Sequence, residues 1–169
     1  MASRIQGARG ASTDTWLTDP KLLKALGPFQ LDPCCPPDMP WRTARTMVVH
    51  PDQDGLAADW KGRRTWLNFP FSRPMPWVEK FVANDNGICL APGRSPETVW
   101  CQLLVGAADL IFVPRGRLAF YYQDGTECKG KWQPHILVAY GRENVDALRR
   151  LPERGFSGLF LEVSRCQQK

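Results

Sequence analysis

The chain has 169 residues, enough for one domain with a sizeable core and no need of disulfide or metal staples. Hydrophobic residues at 43% and charged residues at 23% exclude a mostly disordered chain, and no apolar run reaches the ~18–20 residues of a membrane span. Lys and Arg number 22 against 17 Asp and Glu, a net charge of +5 that permits a polyanionic partner without demanding one.

Residues 1–14 read as a flexible basic arm with Arg4 and Arg9 and no apolar stretch to serve as a secretory signal. Residues 15–169 are expected to form the single domain. Pro20 to Leu26 is predicted as a short helix, with Pro in the first turn and Gly27 to end it. Phe29 to Asp32 reads as a strand, and the Pro-rich residues 33–47 as a loop. Thr65 to Leu67 is a second strand, ending at Asn68. Met75 to Val82 follows as a helix, since Trp77 and Phe81, and Val78 and Val82, are spaced i, i+4. Ile88 to Ala91 is a strand stopped by Pro92-Gly93, and Glu97 to Leu104 a helix. Strands are predicted at Leu110 to Val113, Leu118 to Tyr122, Ile136 to Tyr140 and Leu159 to Val163. A helix over Asn144 to Leu151 is expected to be capped by Asn144. This order predicts an α/β fold whose sheet is parallel first, with an antiparallel edge later. The six cysteines include no Cys-x-x-Cys pair and read as reduced thiols; their spacing to His50 and His135 matches no usual zinc pattern.

In such sheets ligands bind beyond the carboxyl ends of the strands. Two polar residues end apolar strands, Asp32 and Asn68. The segment Asn68-Phe69-Pro70-Phe71 either fills the core as a hydrophobic turn or forms a base-stacking pocket. In the second case the Asn68 side-chain oxygen and the Phe69 carbonyl accept the two hydrogens of an exocyclic amine, and Phe71 supplies a flat face. Two such acceptors free the amine lone pair and stabilise the positive charge that develops on methylation. A base in duplex DNA must be extruded to reach such a pocket. Asp32 is either a cap or surface acid, or a ligand for a cationic amine or ribose hydroxyl. Asp54, on the turn Asp54-Gly55, is a second candidate acid.

An ordered set of segments from about Thr15 to Tyr140 resembles the phage-type DNA N6-adenine methyltransferases, the small Dam-like enzymes. Trp16-Leu17-Thr18-Asp19-Pro20 resembles their Trp-x-Thr-Pro opening, and Phe29-Gln30-Leu31-Asp32-Pro33-Cys34 their Phe-x-Leu-Asp-Pro-Cys strand. Asp54-Gly55-Leu56 followed by Trp60 resembles their Asp-Gly-Leu and Trp segment. Leu67-Asn68-Phe69-Pro70-Phe71-Ser72 occupies the place of the catalytic Asn-Pro-Pro-Tyr, with Phe at positions 69 and 71. Trp77-Val78-Glu79-Lys80, Arg115-Gly116-Arg117-Leu118-Ala119-Phe120 and Pro134-His135 complete the match. The resemblance implies a Rossmann-like methyltransferase sheet with flanking helices and S-adenosylmethionine as methyl donor. By position Trp16, Thr18, Asp32, Pro33, Cys34 and Asp54 would bind the cofactor, and Asn68, Phe69, Pro70 and Phe71 would be catalytic. The glycine-rich first loop of many methyltransferases is absent, replaced by Pro33-Cys34-Cys35. Pro fixes φ and Phe does not, so the Phe69 carbonyl must be aimed by its packing.

Arg73, Arg94, Arg115, Arg117, Lys129 and Lys131 are the candidate DNA-binding residues, and Arg42, Arg45, Arg63 and Arg64 lie near the presumed pocket in sequence. The expected partner is double-stranded DNA, with no membrane, in the cytoplasm of a bacterial host, and with the protein a monomer or homodimer. The expected function is adenine N6 methylation that shields phage or prophage DNA from restriction. Two alternatives stay open: a weak or inactive relative that binds cofactor or DNA, and a methyltransferase for another amide or amine in RNA or in a protein glutamine.

Overall fold

Nine strands and four helices order the chain, in a computed structural model that describes residues 16–129 and 133–164. The expected basic arm therefore lies outside the described residues, as does Lys131. Seven strands form one sheet. They are β2 (Leu31–Cys35), β3 (Thr46–Val49), β4 (Thr65–Leu67), β5 (Gly87–Pro92), β6 (Leu110–Pro114), β8 (His135–Tyr140) and β9 (Gly158–Glu162). Across the sheet they run β3-β2-β4-β5-β8-β6-β9. The first four are mutually parallel. β8 lies antiparallel to both β5 and β6, so β6 points the same way as β5, and β9 is antiparallel to β6. The parallel start and antiparallel finish match the sequence reading. This mixed sheet flanked by helices is consistent with a Rossmann-like methyltransferase fold.

The central strands are apolar runs because both faces are covered. In β5 all six residues are buried, and its side chains alternate between two cores. Ile88 and Leu90 face one core together with α1 (Pro20–Leu26) and α4 (Arg142–Arg149). Cys89 and Ala91 face the other, under α2 (Pro74–Asn84) and α3 (Val99–Gly106). Helix α1 begins where expected: Asp19 caps it by accepting the Lys21 N–H at 2.7 Å, and the Gly27 N–H closes its end on the Leu23 carbonyl.

Three expectations are corrected. The loop expected over 33–47 is strand at both ends: 33–35 continue β2, and Thr46 and Met47 open β3, whose Thr-Met-Val-Val run pairs with β2. The predicted strand Leu118 to Tyr122 shrinks to β7 (Phe120–Tyr121) and leaves the main sheet, where β8 and β9 already occupy both sides of β6. It pairs instead with β1 (Leu17–Thr18), setting Leu17 opposite Tyr121 and Thr18 opposite Phe120. Asn144 does not cap α4. Gly141, at φ 86°, precedes the helix, and Asn144 lies fully buried in its first turn. There its Nδ2 donates to the Tyr140 carbonyl at 2.7 Å and to Asn86 at 2.9 Å, while its Oδ1 accepts from Arg64 Nε at 2.8 Å. A buried guanidinium has claimed the side chain that a solvent-facing helix end would have used.

Candidate active site

Parallel strands deliver their carboxyl ends to one edge of the sheet. Cys35 of β2, Val49 of β3 and Leu67 of β4 all stop there, and the residues just beyond enclose a cavity of about 230 Å³. Its walls are Trp16, Cys34, Pro36, His50, Asn68, Pro70 and Ser72. Four of the expected site residues, Trp16, Cys34, Asn68 and Pro70, are therefore brought together from segments up to 54 residues apart in sequence.

The β2 strand is irregular at this point. From Asp32 to Cys35 it advances three residues while β3 advances two, from Met47 to Val49. The extra residue is a bulge, which re-aims the side chains beside it. Asp32 is thus inside the strand, not at its end, and it is 3% exposed. Its carboxylate accepts the Cys34 N–H at 3.0 Å and, in a very short bond, the Thr43 hydroxyl. It fixes the turn that presents Cys34 and does not itself line the cavity. Burial pushes the Cys34 thiol up, with the Asp32 charge adding to it, so Cys34 contributes an uncharged wall and no thiolate.

Burial also raises Asp32 from 3.8 to about 6 against its two hydrogen bonds. Between those values the folded chain binds a proton that the unfolded chain has released. The associated stability is therefore full below pH 3.8 and is lost as pH rises through 6. The shift corresponds to about 3 kcal/mol. Asp32→Asn keeps the shape without the charge. Urea unfolding should find it the more stable protein at pH 8 by up to about that amount, with the advantage fading towards pH 4.

Gly55 explains the Asp-Gly-Leu segment. A Cβ on this residue would stand 1.7 Å from the Pro33 carbonyl oxygen, so only glycine lets the turn press against the bulged strand. Asp54 makes that turn by accepting the Leu56 and Ala57 N–H groups at 2.9 and 3.2 Å on one carboxylate oxygen, and it remains exposed. Trp60 Nε1 donates to the Gly55 carbonyl at 2.8 Å. Lys80 Nζ donates to the Leu56 and Ala58 carbonyls, the latter at 2.7 Å. Gly55→Ala should cost about 1–3 kcal/mol of stability, measured by thermal unfolding, because backbone has to give way to it.

Asn68 sits immediately after β4. Its Nδ2 donates to the main-chain carbonyl of Trp16 at 3.2 Å. That bond orients the amide of a residue that lines the cavity and leaves Oδ1 as its remaining acceptor. Phe69 is 3% exposed, packed edge-on against Phe71 at 5.4 Å and Trp100 at 5.9 Å. Its ring is thus anchored by packing at a position where the family's motif has a proline ring. The Pro70 carbonyl is taken by the Arg73 N–H at 3.2 Å, and no backbone N–H among the described residues is bonded to the Phe69 carbonyl. Phe71 is half-buried against Phe69 and His135 and is not a cavity wall; the aromatic wall is Trp16. Burial lowers His135 to about 4, with Arg94 adding to the effect, so this ring is neutral at physiological pH. Pro36, His50 and Ser72 are walls outside the expected set of site residues. His50 stands edge-on to Trp77 at 5.7 Å.

The family model for DNA N-6-adenine-methyltransferase (Dam) matches residues 8–145. The chain belongs to that family. A DNA N-6-adenine-methyltransferase of Haemophilus phage HP1 (strain HP1c1) is 28% identical over 118 residues, covering 66% of this chain and 66% of the phage protein. The chain thus spans just under two thirds of the length of that curated relative. No solved structure matches the chain.

Several exposed arginines follow strands on the same edge of the sheet. Arg73 follows Asn68 by one turn, Arg94 follows β5, and Arg115 and Arg117 follow β6; all are exposed. From β4 to β6 is three strand spacings, roughly 14 Å. Lys129 is exposed beyond β7. Arg45 and Arg64 stand instead before β3 and β4, at the amino edge, so they do not rim the cavity. Among the described residues no helix is long and apolar enough to cross a membrane.

Proposed function

We propose that the chain transfers a methyl group from S-adenosylmethionine to N6 of an adenine extruded from double-stranded DNA. The observation that carries this reading is the Asn68 amide, tied by its N–H to the Trp16 carbonyl in the wall of a cavity at the carboxyl edge of the sheet. Adenine's amino nitrogen is a poor nucleophile because its lone pair is delocalised into the ring. Asn68 Oδ1 and the Phe69 carbonyl accept its two hydrogens, draw the nitrogen towards a pyramidal form and stabilise the charge that develops on it. The donor, when bound, supplies a methyl carbon on a positively charged sulfur. The proton that the amine sheds passes to water.

The residues present suit that donor. Trp16 offers a flat face and Asp54 an exposed carboxylate for a diol. The Thr18 hydroxyl is buried with no partner among the described residues, an acceptor and donor still to be used. Asp32, Pro33 and Cys34 serve by building the bulged turn. A cavity of about 230 Å³ is smaller than the ~300–1,000 Å³ of a complete small-molecule site, so it holds the reaction centre and not both partners entire. Arg73, Arg94, Arg115, Arg117, Lys129 and Lys131 contact phosphates and position the duplex without reading its sequence. The setting is the cytoplasm of a phage's bacterial host, and the consequence is protection of phage DNA from restriction. Incubation with labelled donor and unmodified DNA, followed by mass spectrometry of the nucleosides, tests this. N6-methyladenine is the expected product; label in RNA or in protein glutamine and none in DNA would overturn it.

A further inference from the structure

The small ribbon formed by β1 and β7 stands outside the main sheet, and the residue just before β1, Trp16, supplies the carbonyl that orients Asn68. β7 opens a tight hairpin. The Tyr122 N–H donates to the Thr126 carbonyl at 2.9 Å, the Gly125 N–H returns to the Tyr122 carbonyl at 2.9 Å, and Asp124 accepts the Thr126 N–H at 2.9 Å. The Cys128 N–H closes it on the Phe120 carbonyl at 2.8 Å. This hairpin touches both sides of the cavity. On one side the Tyr122 ring packs on Trp16 with centroids 6.2 Å apart. On the other, Gln123 Nε2 donates to the Pro37 carbonyl at 3.0 Å, next to the wall residue Pro36.

Tyr122 is 47% exposed, a poor return for an aromatic ring if packing were its whole purpose. Its ring contact is with the residue whose carbonyl receives the Asn68 amide. We propose that Tyr122 is a positioning residue for methyl transfer, acting through Trp16 on Asn68. The inference rests on the adenine-methylating reading above. The ladder between β1 and β7 is two residues long, so the ring contact at its end steadies the Trp16 carbonyl. When that carbonyl drifts, the amide is free to rotate and its oxygen leaves the amine. Tyr122 thus controls the acceptor without touching either reacting partner.

The test compares Tyr122→Ala, Tyr122→Leu and Tyr122→Phe in single-turnover methylation, with donor affinity, DNA affinity and thermal midpoint measured on each. Phe keeps the flat ring and should react within about twofold of the parent. Ala and Leu lose it and should be slower by about tenfold or more, with donor and DNA affinity and the midpoint little changed. Two results would overturn the proposal: full rates in both Ala and Leu, or a loss confined to DNA affinity, which would make Tyr122 a direct DNA contact. Asn68→Ala is run beside them. If it stays active, the site assignment itself fails; if it is dead while the Tyr122 variants are normal, only the positioning role fails.

Discussion

Replacing Asn68 by Ala should lower methyl transfer on the order of 100- to 1,000-fold while leaving S-adenosylmethionine binding near its original strength. The side chain offers one oxygen to the cavity, and its nitrogen is engaged by the Trp16 carbonyl at 3.2 Å. Truncation removes both the proposed acceptor and the N–H bonded to Trp16. Donor binding should survive because the proposed donor site, Trp16 and the bulged turn of β2, comes from other segments. Asn68→Asp separates the two functions of the side chain. It keeps an acceptor for the amine but has no N–H for Trp16, so its loss should be smaller than that of Ala. Equal rates for Ala and the parent in a labelled-donor assay would mean that the amine is held elsewhere.

Arg64→Ala should destabilise the fold by about 3–5 kcal/mol. This arginine is buried, and its guanidinium ties two helices and the loop after α1 together. Nη2 donates to the Leu26 carbonyl at the end of α1, and Nη1 to the Pro28 carbonyl, each at 2.7 Å. Nε donates to Asn144 in α4 at 2.8 Å, and the group lies 4.5 Å from the centre of the Phe29 ring. Its contact with Glu143 at 3.4 Å adds little, because that carboxylate is largely in water. Removal leaves buried oxygens with no donor, each a cost of about 1–3 kcal/mol. Arg64→Lys should fall between, since one ammonium cannot match a planar fork of donors. Urea unfolding at fixed pH measures both variants.

The strand ends were legible because the apolar runs are short and stopped by polar or proline residues. Leu67 was expected to end a strand and Asn68 to stand beyond it, and both do. Helix α1 was readable from Pro20 and Gly27 alone. The missed strand is instructive. Thr46 to Val49 follows a dense run of prolines, and local turn signals outweighed four residues of β-forming sequence. Had it been read, the rule that selected Asn68 would also have selected His50, which ends β3 and lines the cavity. The bulge in β2 was invisible for a different reason. Pairing register is a property of two strands, so no pattern within Leu31 to Cys35 announces that Asp32 turns inward. Nor does any spacing reveal that Arg64 is a tether at the amino edge while Arg73, nine residues later, belongs to the cationic rim. The partner that claims Arg64 lies 80 residues away.

The account stands on one arrangement: an amide oxygen, fixed by a neighbouring backbone carbonyl, receiving a hydrogen of the target amine. The most direct measurement is a structure of the protein bound to a non-reactive donor analogue and a DNA duplex. The extruded adenine should then place N6 within about 3.2 Å of Asn68 Oδ1, with the Phe69 carbonyl as its other acceptor. An adenine that remains stacked in the duplex, or one whose N6 lies beyond reach of Asn68, would contradict it.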